Sequence, residues 1–346
     1  MSKKYLFFGS ERYTIGIMRP IEAAIKLRGD SVAWLFSGPG AEDLDKDDVL
    51  LKTVAEVKEW NPIAVITPNN TVPHFFPGVK VQTFHGFDAG KPRHIYIRGF
   101  FDLYCTTGPS DTKAFEKLAK KLQYFSVIET GWPKLDYFFN QLPTELPPVK
   151  QPPTILYHST FSPSWSAAEI LYPEVKRLSQ SGEWNWIVTL HPKMNPETRA
   201  KFKALESAHL QFSSTDNILE LFADADLMCS DTSSALSEFL LTHKPVVTFN
   251  NRRPSPQLIN IHRVEDFEPA IRRALKRPPE LMDAIKTFSE SIHPLQDGKS
   301  AERILNAIDD FIARGSKNAK PKPLNLWRKF KLRYKMNYWK QIKQHD

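Results

Sequence analysis

Cysteine is scarce in this chain, and glycine-rich loops are missing. Cys105 and Cys229 are its two cysteines, and both stand in apolar, strand-like runs, where we expect buried thiols. Two such residues provide neither a disulfide framework nor a cysteine quartet for a metal. The chain has no P-loop, and Gly38-Pro39-Gly40 lacks the spacing of a dinucleotide fingerprint. These absences exclude several common nucleotide and metal motifs.

Long apolar runs are also missing. None approaches the roughly 20 residues that a membrane-spanning helix needs. The apolar segment at 5–9 is too short for a signal peptide and predicts a first strand, so we expect a cytoplasmic protein. With 346 residues, of which 41% are hydrophobic, the chain is long enough for two ordinary domains.

The positive charge is concentrated at one end. The chain has a net charge of +8, but ten Lys and Arg against one Asp lie from Lys317 onward. The residues before Lys317 therefore carry a net charge of about −1. This distribution does not describe a diffuse nucleic-acid-binding surface, and we expect no nucleic-acid partner.

Apolar runs of strand length alternate with segments of helical period. Predicted strands lie at 5–9, 31–36, 63–67, 79–84, 103–106, 124–128, 154–158, 186–190, 210–212, 226–229 and 246–249. Predicted helices lie at 15–27, 47–60, 111–122, 166–178, from 196, 216–222, 235–241, 268–276, 280–291 and 300–313. This alternation predicts an α/β fold with parallel sheets covered on both faces.

A proline-rich segment divides the chain. Residues 142–153 hold five prolines, which indicates a linker between a domain at 1–141 and a second at 154–316, with a tail at 317–346. Two α/β halves of similar size suggest a cleft lined by the carboxyl ends of their strands.

The stretch at 229–239 has the pattern of an anion site. A predicted strand gives way to small polar residues, and a helix begins at Ala235, which leaves backbone N–H groups and a positive dipole end free. Ser233 and Ser234 add hydroxyl donors. Glu238, about one helical turn later, could accept bonds from ribose hydroxyls. The alternative is that Asp231 or Thr232 merely caps the helix.

Three further strands end in residues suited to chemistry. His85 follows the fourth strand, and an imidazole that exchanges a proton near neutral pH suits a general base. His191 ends a strand in the second half and could reach a pyrophosphate oxygen. Thr160, in a turn with Ser159, suits a phosphate contact. The alternatives are a histidine bound to a backbone carbonyl and ordinary turn chemistry.

No metal or other cofactor is expected. Asp43-Leu44-Asp45 and Asp224-Ala225-Asp226 have the spacing of a two-carboxylate metal site. The first stands in an acidic loop before a helix, and the second runs from a helix into the start of a strand. Neither is placed for catalysis, and the chain has no Cys/His metal spacing.

The basic tail, 317–346, has helical period from Leu324 to Ile342. Trp and Tyr alternate with Lys and Arg there, as in a helix that lies on an anionic bilayer. We therefore predict an amphipathic helix that binds an anionic membrane surface. RNA binding and a merely solvated tail are the alternatives.

Several of these pieces occur together in a known order. The chain resembles the CDP-glycerol glycerophosphotransferase family of teichoic-acid primases and polymerases, which have a GT-B fold. The matching residues span about 80–250 and are His85-Gly86 with Lys91, the run at 131–136, the strand at 155–157 leading to Thr160-Phe161, Leu190-His191-Pro192, Ser230-Asp231-Thr232-Ser233-Ser234 with Glu238, and Lys244-Pro245.

The resemblance implies roles for these residues. His85 matches an acceptor-side catalytic histidine, and His191, Ser233 and Ser234 match pyrophosphate binders. Glu238 stands where the family usually has Asp. We add Thr160 and Thr232 to the predicted donor site. The predicted acceptor-side residues are Lys91, Arg93 and Asp136.

The predicted enzyme is therefore a GT-B phosphotransferase. It would move glycerol phosphate, or a related alditol phosphate, from CDP-glycerol or a similar donor to a lipid-linked or glycan acceptor, releasing CMP. It would lie on the inner face of the cell membrane. Alternatives are a glycosyltransferase or 2-epimerase that uses a UDP-sugar on the same fold, and a non-catalytic membrane- or RNA-binding protein.

Overall fold

The computed structural model describes residues 2–87, 95–143, 145–215, 218–315 and 320–338. The chain divides into two compact units. Unit 1 consists of Met1–Asn140 and Ile292–Asp346, and unit 2 consists of Gln141–Ser291. The chain therefore passes from unit 1 into unit 2 and back again.

Unit 1 contains a six-stranded parallel sheet. Its strands are β1 (Lys4–Gly9), β2 (Ser31–Phe36), β3 (Ala64–Thr67), β4 (Val79–Gln82), β5 (Leu103–Thr106) and β6 (Ser126–Glu129), in the spatial order β2-β1-β3-β4-β5-β6. The residues of β3 and β5 are all buried, because helices and loops cover both faces of the sheet.

The helices of unit 1 come from both of its chain segments. They are α1 (Tyr13–Leu27), α2 (Val54–Trp60), α3 (Pro109–Leu122) and α4 (Asp136–Phe139), then α11 (Ser300–Arg314) and α12 (Leu326–Lys335). The amphipathic α11 packs on α1, and Asp309 of α11 pairs with Lys3 and Arg28. The returning segment is therefore an integral part of unit 1.

Unit 2 repeats this architecture. Its strands are β7 (Thr154–Ser159), β8 (Asn185–Leu190), β9 (Leu210–Phe212), β10 (Leu227–Ser230), β11 (Val246–Phe249) and β12 (Ile259–Ile261), in the spatial order β12-β11-β10-β7-β8-β9. All the pairs are parallel, with Tyr157 opposite Cys229 between β7 and β10. Its helices are α5 (Ala168–Gln180), α6 (Pro196–Lys203), α7 (Ile218–Asp224), α8 (Ala235–Leu240), α9 (Phe267–Leu275) and α10 (Pro279–Ile292), whose last residue already belongs to unit 1.

Each sheet has one point where the chain connections depart in opposite directions. In unit 1 it lies between β1 and β3, and in unit 2 between β7 and β10. Open α/β sheets bind ligands in the crevice outside the carboxyl ends of such strands. The loops that follow these four strands are therefore the places to look for a site.

The structure differs from the predicted elements in several stretches. The short helix α4 was not predicted, and α12 ends at Lys335 although helical period was predicted from Leu324 to Ile342, of which residues 339–342 lie outside the described ranges. The predicted helix at 47–60 forms only at Val54–Trp60, because Thr53 caps it with its hydroxyl and Asp48 is bound to the guanidinium of Arg19. The short strand β12 was not predicted.

The compact units also differ from the predicted domain boundaries. Residues 292–316 group with unit 1 instead of the second domain, and the proline-rich segment groups with unit 2. Two hydrogen bonds explain the second point: the N–H groups of Lys150 and Thr154 both donate to Asp226.

Both thiols are buried and unbridged, as predicted. None of the helices in the described ranges is both long and apolar enough to cross a bilayer.

Candidate active site

The loops at the switch point of unit 2 meet at one carboxylate, that of Asp231. Asp231 directly follows β10 and is fully buried. Its oxygens accept hydrogen bonds from the N–H of Thr160 (3.1 Å), the N–H of Ala167 (3.0 Å) and the hydroxyl of Ser159. Because Ser159 and Thr160 lie at the end of β7, this side chain ties the β7 and β10 loops together. We call these residues the Asp231 junction.

Burial and hydrogen bonding have opposite effects on the pKa of Asp231. Burial raises the pKa of the Asp231 carboxyl, while the bonds from Ser159, Ala167 and Thr160 oppose that rise. Three donors aimed at one carboxylate suit an acceptor-only group. Asp231 therefore does not cap α8, which was the alternative considered from the sequence; the Ala235 N–H donates to Ser233 instead.

The turn between β10 and α8 presents hydroxyl groups. The oxygen of Thr232 accepts a bond from the N–H of Arg252 (3.1 Å), and that of Ser233 accepts from Ala235 (3.2 Å). Both hydroxyl hydrogens remain available as donors within the described structure. Ser234 is exposed, and Glu238 lies half-buried one turn further along α8. The structure therefore brings the predicted residues Thr160, Thr232, Ser233 and Ser234 to adjoining loops.

His191 directly follows β8, the other neighbour of β7. Its ring lies against that of Phe161, tilted by 36° with 4.5 Å between centroids, and its Nδ1 accepts a bond from the N–H of Lys193 (3.1 Å). Burial, followed by the charge of Lys193, lowers the pKa of His191. The neutral ring then carries its proton on Nε2, as a donor. Nε2 can therefore donate to an anionic ligand.

Arg252, near the Asp231 junction, was not among the site residues predicted from the sequence. The Arg252 guanidinium lies 5.1 Å from the centre of the Trp165 ring and donates to the carbonyl of Ser164 (3.0 Å). The guanidinium brings a positive charge to the loop between β7 and α5, while the backbone N–H of Arg252 binds the Thr232 hydroxyl oxygen. The basic pair Arg252-Arg253, shortly after the strand predicted at 246–249, was the available signal.

His158 was also missed as a distinct group. It lies near the end of β7 and is buried, and burial lowers its pKa to about 4. The ring is therefore neutral near pH 7. Its Nδ1 has no hydrogen-bond partner in the part of the chain that the structure describes.

Polar residues also gather at the switch point of unit 1. Ser10 follows β1, and its hydroxyl donates to the amide oxygen of Asn69, just beyond β3, at 3.1 Å. The hydroxyl of Tyr13 lies 3.4 Å from the same oxygen. The Tyr13 ring lies 5.8 Å from the exposed imidazole of His85, centre to centre. The sequence had singled out only His85 of this group.

The predicted acceptor-side residues have different outcomes. Lys91 and Arg93 lie outside the described residues. Asp136 is buried, and its two oxygens accept the N–H groups of Ser300 (3.0 Å) and Ala301 (2.7 Å). It therefore caps α11, which corrects its reading as a group that faces the acceptor. The partners lie over 160 residues away in the chain, so no local pattern could reveal them.

The two carboxylate pairs that were rejected as metal sites are bound by N–H groups or an arginine of the protein. Asp226 accepts from the N–H groups of Lys150 (3.2 Å) and Thr154 (2.9 Å) at the amino end of β7, away from the switch point. Asp43 pairs with Arg12. Within the described ranges, no three His, Cys, Asp or Glu residues form a group able to hold a metal ion.

Two parallel α/β units with polar loops at their switch points define the GT-B class, and solved structures agree. A putative UDP-N-acetylglucosamine 2-epimerase from Listeria monocytogenes is 13% identical with a TM-score of 0.65, covering 94% of this chain and 100% of that one. The wall teichoic acid polymerase TagF is 14% identical with a TM-score of 0.62, covering 90% of each chain. Such identities concern the fold alone, and they confirm the predicted class.

The family itself follows from the sequence match. The chain belongs to the CDP-glycerol:poly(glycerophosphate) glycerophosphotransferase family, whose model matches residues 78–253, about half of the chain. This confirms the resemblance drawn from the motifs. The matched range includes His85, His191 and the whole of the turn between β10 and α8.

Two curated relatives come from Bacillus spizizenii. The teichoic acid ribitol-phosphate primase is 22% identical over 252 residues, which is 64% of this chain and 62% of the relative. The teichoic acid poly(ribitol-phosphate) polymerase is 27% identical over 225 residues, which is 53% of this chain and 33% of the relative. The matches thus span about three fifths and one third of these relatives.

Proposed function

We propose that this protein transfers glycerol phosphate, or a related alditol phosphate, from a CDP-activated donor to a hydroxyl group of a lipid-linked or glycan acceptor. Membership of the family, and relatives named for ribitol phosphate transfer, support this reaction class. The observation that carries it in the structure is the Asp231 junction. It gathers hydroxyl and backbone groups at the place where an open α/β sheet binds a nucleotide.

In this proposal unit 2 holds the donor. Thr160, Thr232, Ser233 and Ser234 donate hydrogen bonds to the pyrophosphate, and so does Nε2 of His191. These groups stabilise the charge that develops on the leaving CMP. Glu238 accepts bonds from the ribose hydroxyls, because a carboxylate offers only acceptors. The residues proposed here require no metal ion.

Unit 1 holds the acceptor and the general base. His85 removes the proton from the acceptor hydroxyl, and that oxygen attacks the distal phosphorus of the donor. The bond from this phosphorus to the bridging oxygen breaks, and CMP leaves with the electron pair. Ser10, Tyr13 and Asn69 offer hydroxyl and amide groups for a polyol. Lys91 and Arg93 are proposed to bind phosphate groups of the acceptor.

The helix α12 is proposed to bind the inner face of the cell membrane, where a lipid-linked acceptor would be found. The side chains of Trp327, Phe330 and Tyr334 are exposed by 66%, 47% and 73%. Lys331 lies 5.0 Å from the Trp327 ring centre. Exposed aromatic groups among cations suit the interface of an anionic bilayer.

The membrane proposal is tested with the full chain and vesicles of neutral or anionic lipid. The double variant Trp327→Ser, Phe330→Ser should lose binding to anionic vesicles, and Ile170→Ser, a comparably exposed apolar residue of unit 2, should keep it. Equal binding to both vesicle types would contradict the electrostatic part. Binding of RNA in place of vesicles would support the alternative considered for the tail.

A second candidate uses a UDP-sugar. The likeness in fold to an epimerase, together with Glu238 at the usual Asp position, favours it. The same loops would hold UDP, but the bond between the sugar carbon and oxygen would break. A transferase of this kind would release UDP instead of CMP.

The deciding experiment identifies the released nucleotide. The purified protein is incubated with membrane extract and a panel of CDP-alditols and UDP-sugars, with the double variant Ser233→Ala, Ser234→Ala as a control. CMP release that the control loses supports phosphoalditol transfer, and UDP release supports the sugar reaction. Release of neither nucleotide by the folded protein contradicts both and favours a binding protein.

A further inference from the structure

The loop that carries His85 is fastened by two residues distant in sequence. Trp132 lies beyond β6, and His293 directly follows α10. The N–H of Trp132 donates to Nε2 of His293 at 2.7 Å, and the indole Nε1 of Trp132 donates to the carbonyl of Phe84 at 3.4 Å. A buried imidazole is thus connected to the residue before His85 through the backbone N–H and the indole N–H of Trp132. We call Trp132 and His293 the His85 clamp.

The backbone at Phe84 shows why a clamp is needed. Phe84 has φ = 60°, in the left-handed region that residues with a bulky side chain seldom adopt. Its ring is buried and meets Phe115 edge-on at 5.1 Å between centroids. Such a conformation persists only where the surroundings hold it, and it sets the direction in which the next side chain leaves the sheet.

Two glycines form the socket for the returning segment. A Cβ at Gly108 would lie 2.2 Å from the carbonyl oxygen of Ile292. At Gly131, where φ is +83°, a Cβ would lie 2.5 Å from the Ser300 hydroxyl and 3.1 Å from Nε2 of His293. Glycine is therefore needed at both strand ends for residues 292–293 to approach so closely.

The clamp also reaches the far side of His85. The ring of Phe87 meets Trp132 at 5.1 Å and His293 at 5.9 Å between centroids, edge-on in both cases. Burial lowers the pKa of His293 to about 4, so the ring is neutral and Nε2 can accept the Trp132 bond. Residues on both sides of His85-Gly86 are therefore held by the same pair.

We propose that Trp132 and His293 are positioning residues that fix the orientation of the His85 imidazole for proton transfer. Neither touches a reacting atom; they act through Phe84 and Phe87. This inference rests on the proposed role of His85 as general base.

The test uses paired variants of the full chain. Trp132→Phe removes the indole N–H but keeps an aromatic ring. His293→Leu removes the acceptor of the Trp132 bond, and His293→Gln keeps an amide oxygen that can accept it. Trp34→Phe is the control, because Trp34 is equally buried in unit 1 and its indole N–H has no partner among the described residues.

Two readouts are taken: the split between kcat and the donor KM, and the ring resonance of His85, assigned with His85→Ala. Because small misplacements of a reacting group are costly, Trp132→Phe and His293→Leu should lower kcat roughly 10- to 100-fold and leave the donor KM unchanged. The His85 resonance should shift or broaden in both. His293→Gln should recover most of the kcat, and Trp34→Phe should change neither readout.

The proposal is overturned if folded Trp132→Phe retains the wild-type His85 resonance, or if His293→Gln is as impaired as His293→Leu. If the wild-type protein transfers nothing, the proposed function fails, but the resonance still decides whether the clamp orients His85. A shift in Trp132→Phe and His293→Leu, with recovery in His293→Gln, supports the clamp in that case.

Discussion

The two units fasten their site loops by different means. In unit 2 a buried carboxylate gathers N–H and hydroxyl donors at the Asp231 junction, whereas in unit 1 the His85 clamp relies on one indole, one neutral imidazole and packed rings. Directional bonds to a charge hold the loops of unit 2 whose other N–H and hydroxyl groups are proposed to bind the donor's phosphates. In unit 1, two hydrogen bonds between neutral groups act together with packed rings to hold a loop that presents a single imidazole. Changes of charge should therefore harm unit 2 most, and the loss of a neutral donor, acceptor or ring should harm unit 1 most.

The largest effect is expected at His85, the residue that the His85 clamp of unit 1 orients in the proposed mechanism. His85→Ala should lower kcat by roughly 10²- to 10⁴-fold, the usual contribution of a general base. Because the side chain is exposed, the free energy of unfolding should change by less than about 0.5 kcal/mol. Steady-state kinetics and urea unfolding measure the two quantities. Near wild-type turnover in a folded variant would remove His85 from the mechanism.

Asp231→Asn removes the negative charge of the Asp231 junction and keeps the size of the side chain. The amide would turn an NH₂ group toward N–H donors, so at least one bond is lost. We expect a loss of about 2 kcal/mol in stability and a rise of roughly tenfold in the donor KM.

Asp226→Asn is the matched control for that change, because Asp226 is another buried carboxylate of unit 2 that accepts two N–H groups, away from the switch point. It should lower stability to a similar extent and leave the donor KM alone. If both variants changed the donor KM equally, the Asp231 junction would have no particular link to the donor.

Acid should weaken both units through their buried histidines. The pKa of His293 in unit 1 and that of His158 in unit 2 are each lowered to about 4 from an ordinary value of 6.5. As the pH falls, these histidines take up protons in the unfolded chain at a higher pH than in the folded one. The stability that each neutral, buried ring contributes to the fold is therefore complete above pH 6.5 and is lost as the pH falls toward 4. Each group accounts for up to roughly 3 kcal/mol of this change.

Urea unfolding between pH 7.5 and 4.5 measures that loss. His293→Gln should flatten the pH dependence of unit 1, and His158→Gln that of unit 2. A pH dependence identical to that of the wild type in either variant would show that the histidine is not buried in the neutral form.

The smallest effect is expected at the rim of the unit 2 site. Glu238→Asp shortens the side chain by one methylene and supplies the residue that the family usually has. The donor KM should therefore change by less than tenfold, which corresponds to the loss of about one hydrogen bond. Glu238→Gln keeps the length and removes the charge. Identical donor KM values for the wild type, Glu238→Gln and Glu238→Ala would exclude contact with the ribose.

The sequence indicated those parts of the fold whose causes are local. The strands at 103–106, 210–212 and 246–249 have the predicted bounds, because short apolar runs between polar turns decide them. The helix predicted at 47–60 was too long, because Asp48 is held by Arg19 from α1 and not by its own turn. Periodicity cannot reveal such a distant partner.

The site was predictable only in part, for the same reason. His85, His191 and the hydroxyl residues were visible because they end predicted strands. The carboxylate of Asp136 was read as facing the acceptor, but it caps a helix from the other segment of unit 1. Likewise, His293 gave no local signal, since its partner Trp132 lies 161 residues earlier.

The split path of unit 1 has a consequence for synthesis of the chain. Residues 141–291 must be translated between its two segments, which takes roughly 8 to 30 s at ordinary rates of elongation. Until the second segment is synthesised, α1 has no α11 to pack against, and Trp132 has no His293 imidazole to accept its N–H bond. A nascent chain would therefore carry the hydroxyl groups of the proposed unit 2 site before His85, the proposed general base, is held in its final orientation. In the proposed mechanism, catalytic competence would thus depend on synthesis of the segment that begins at Ile292.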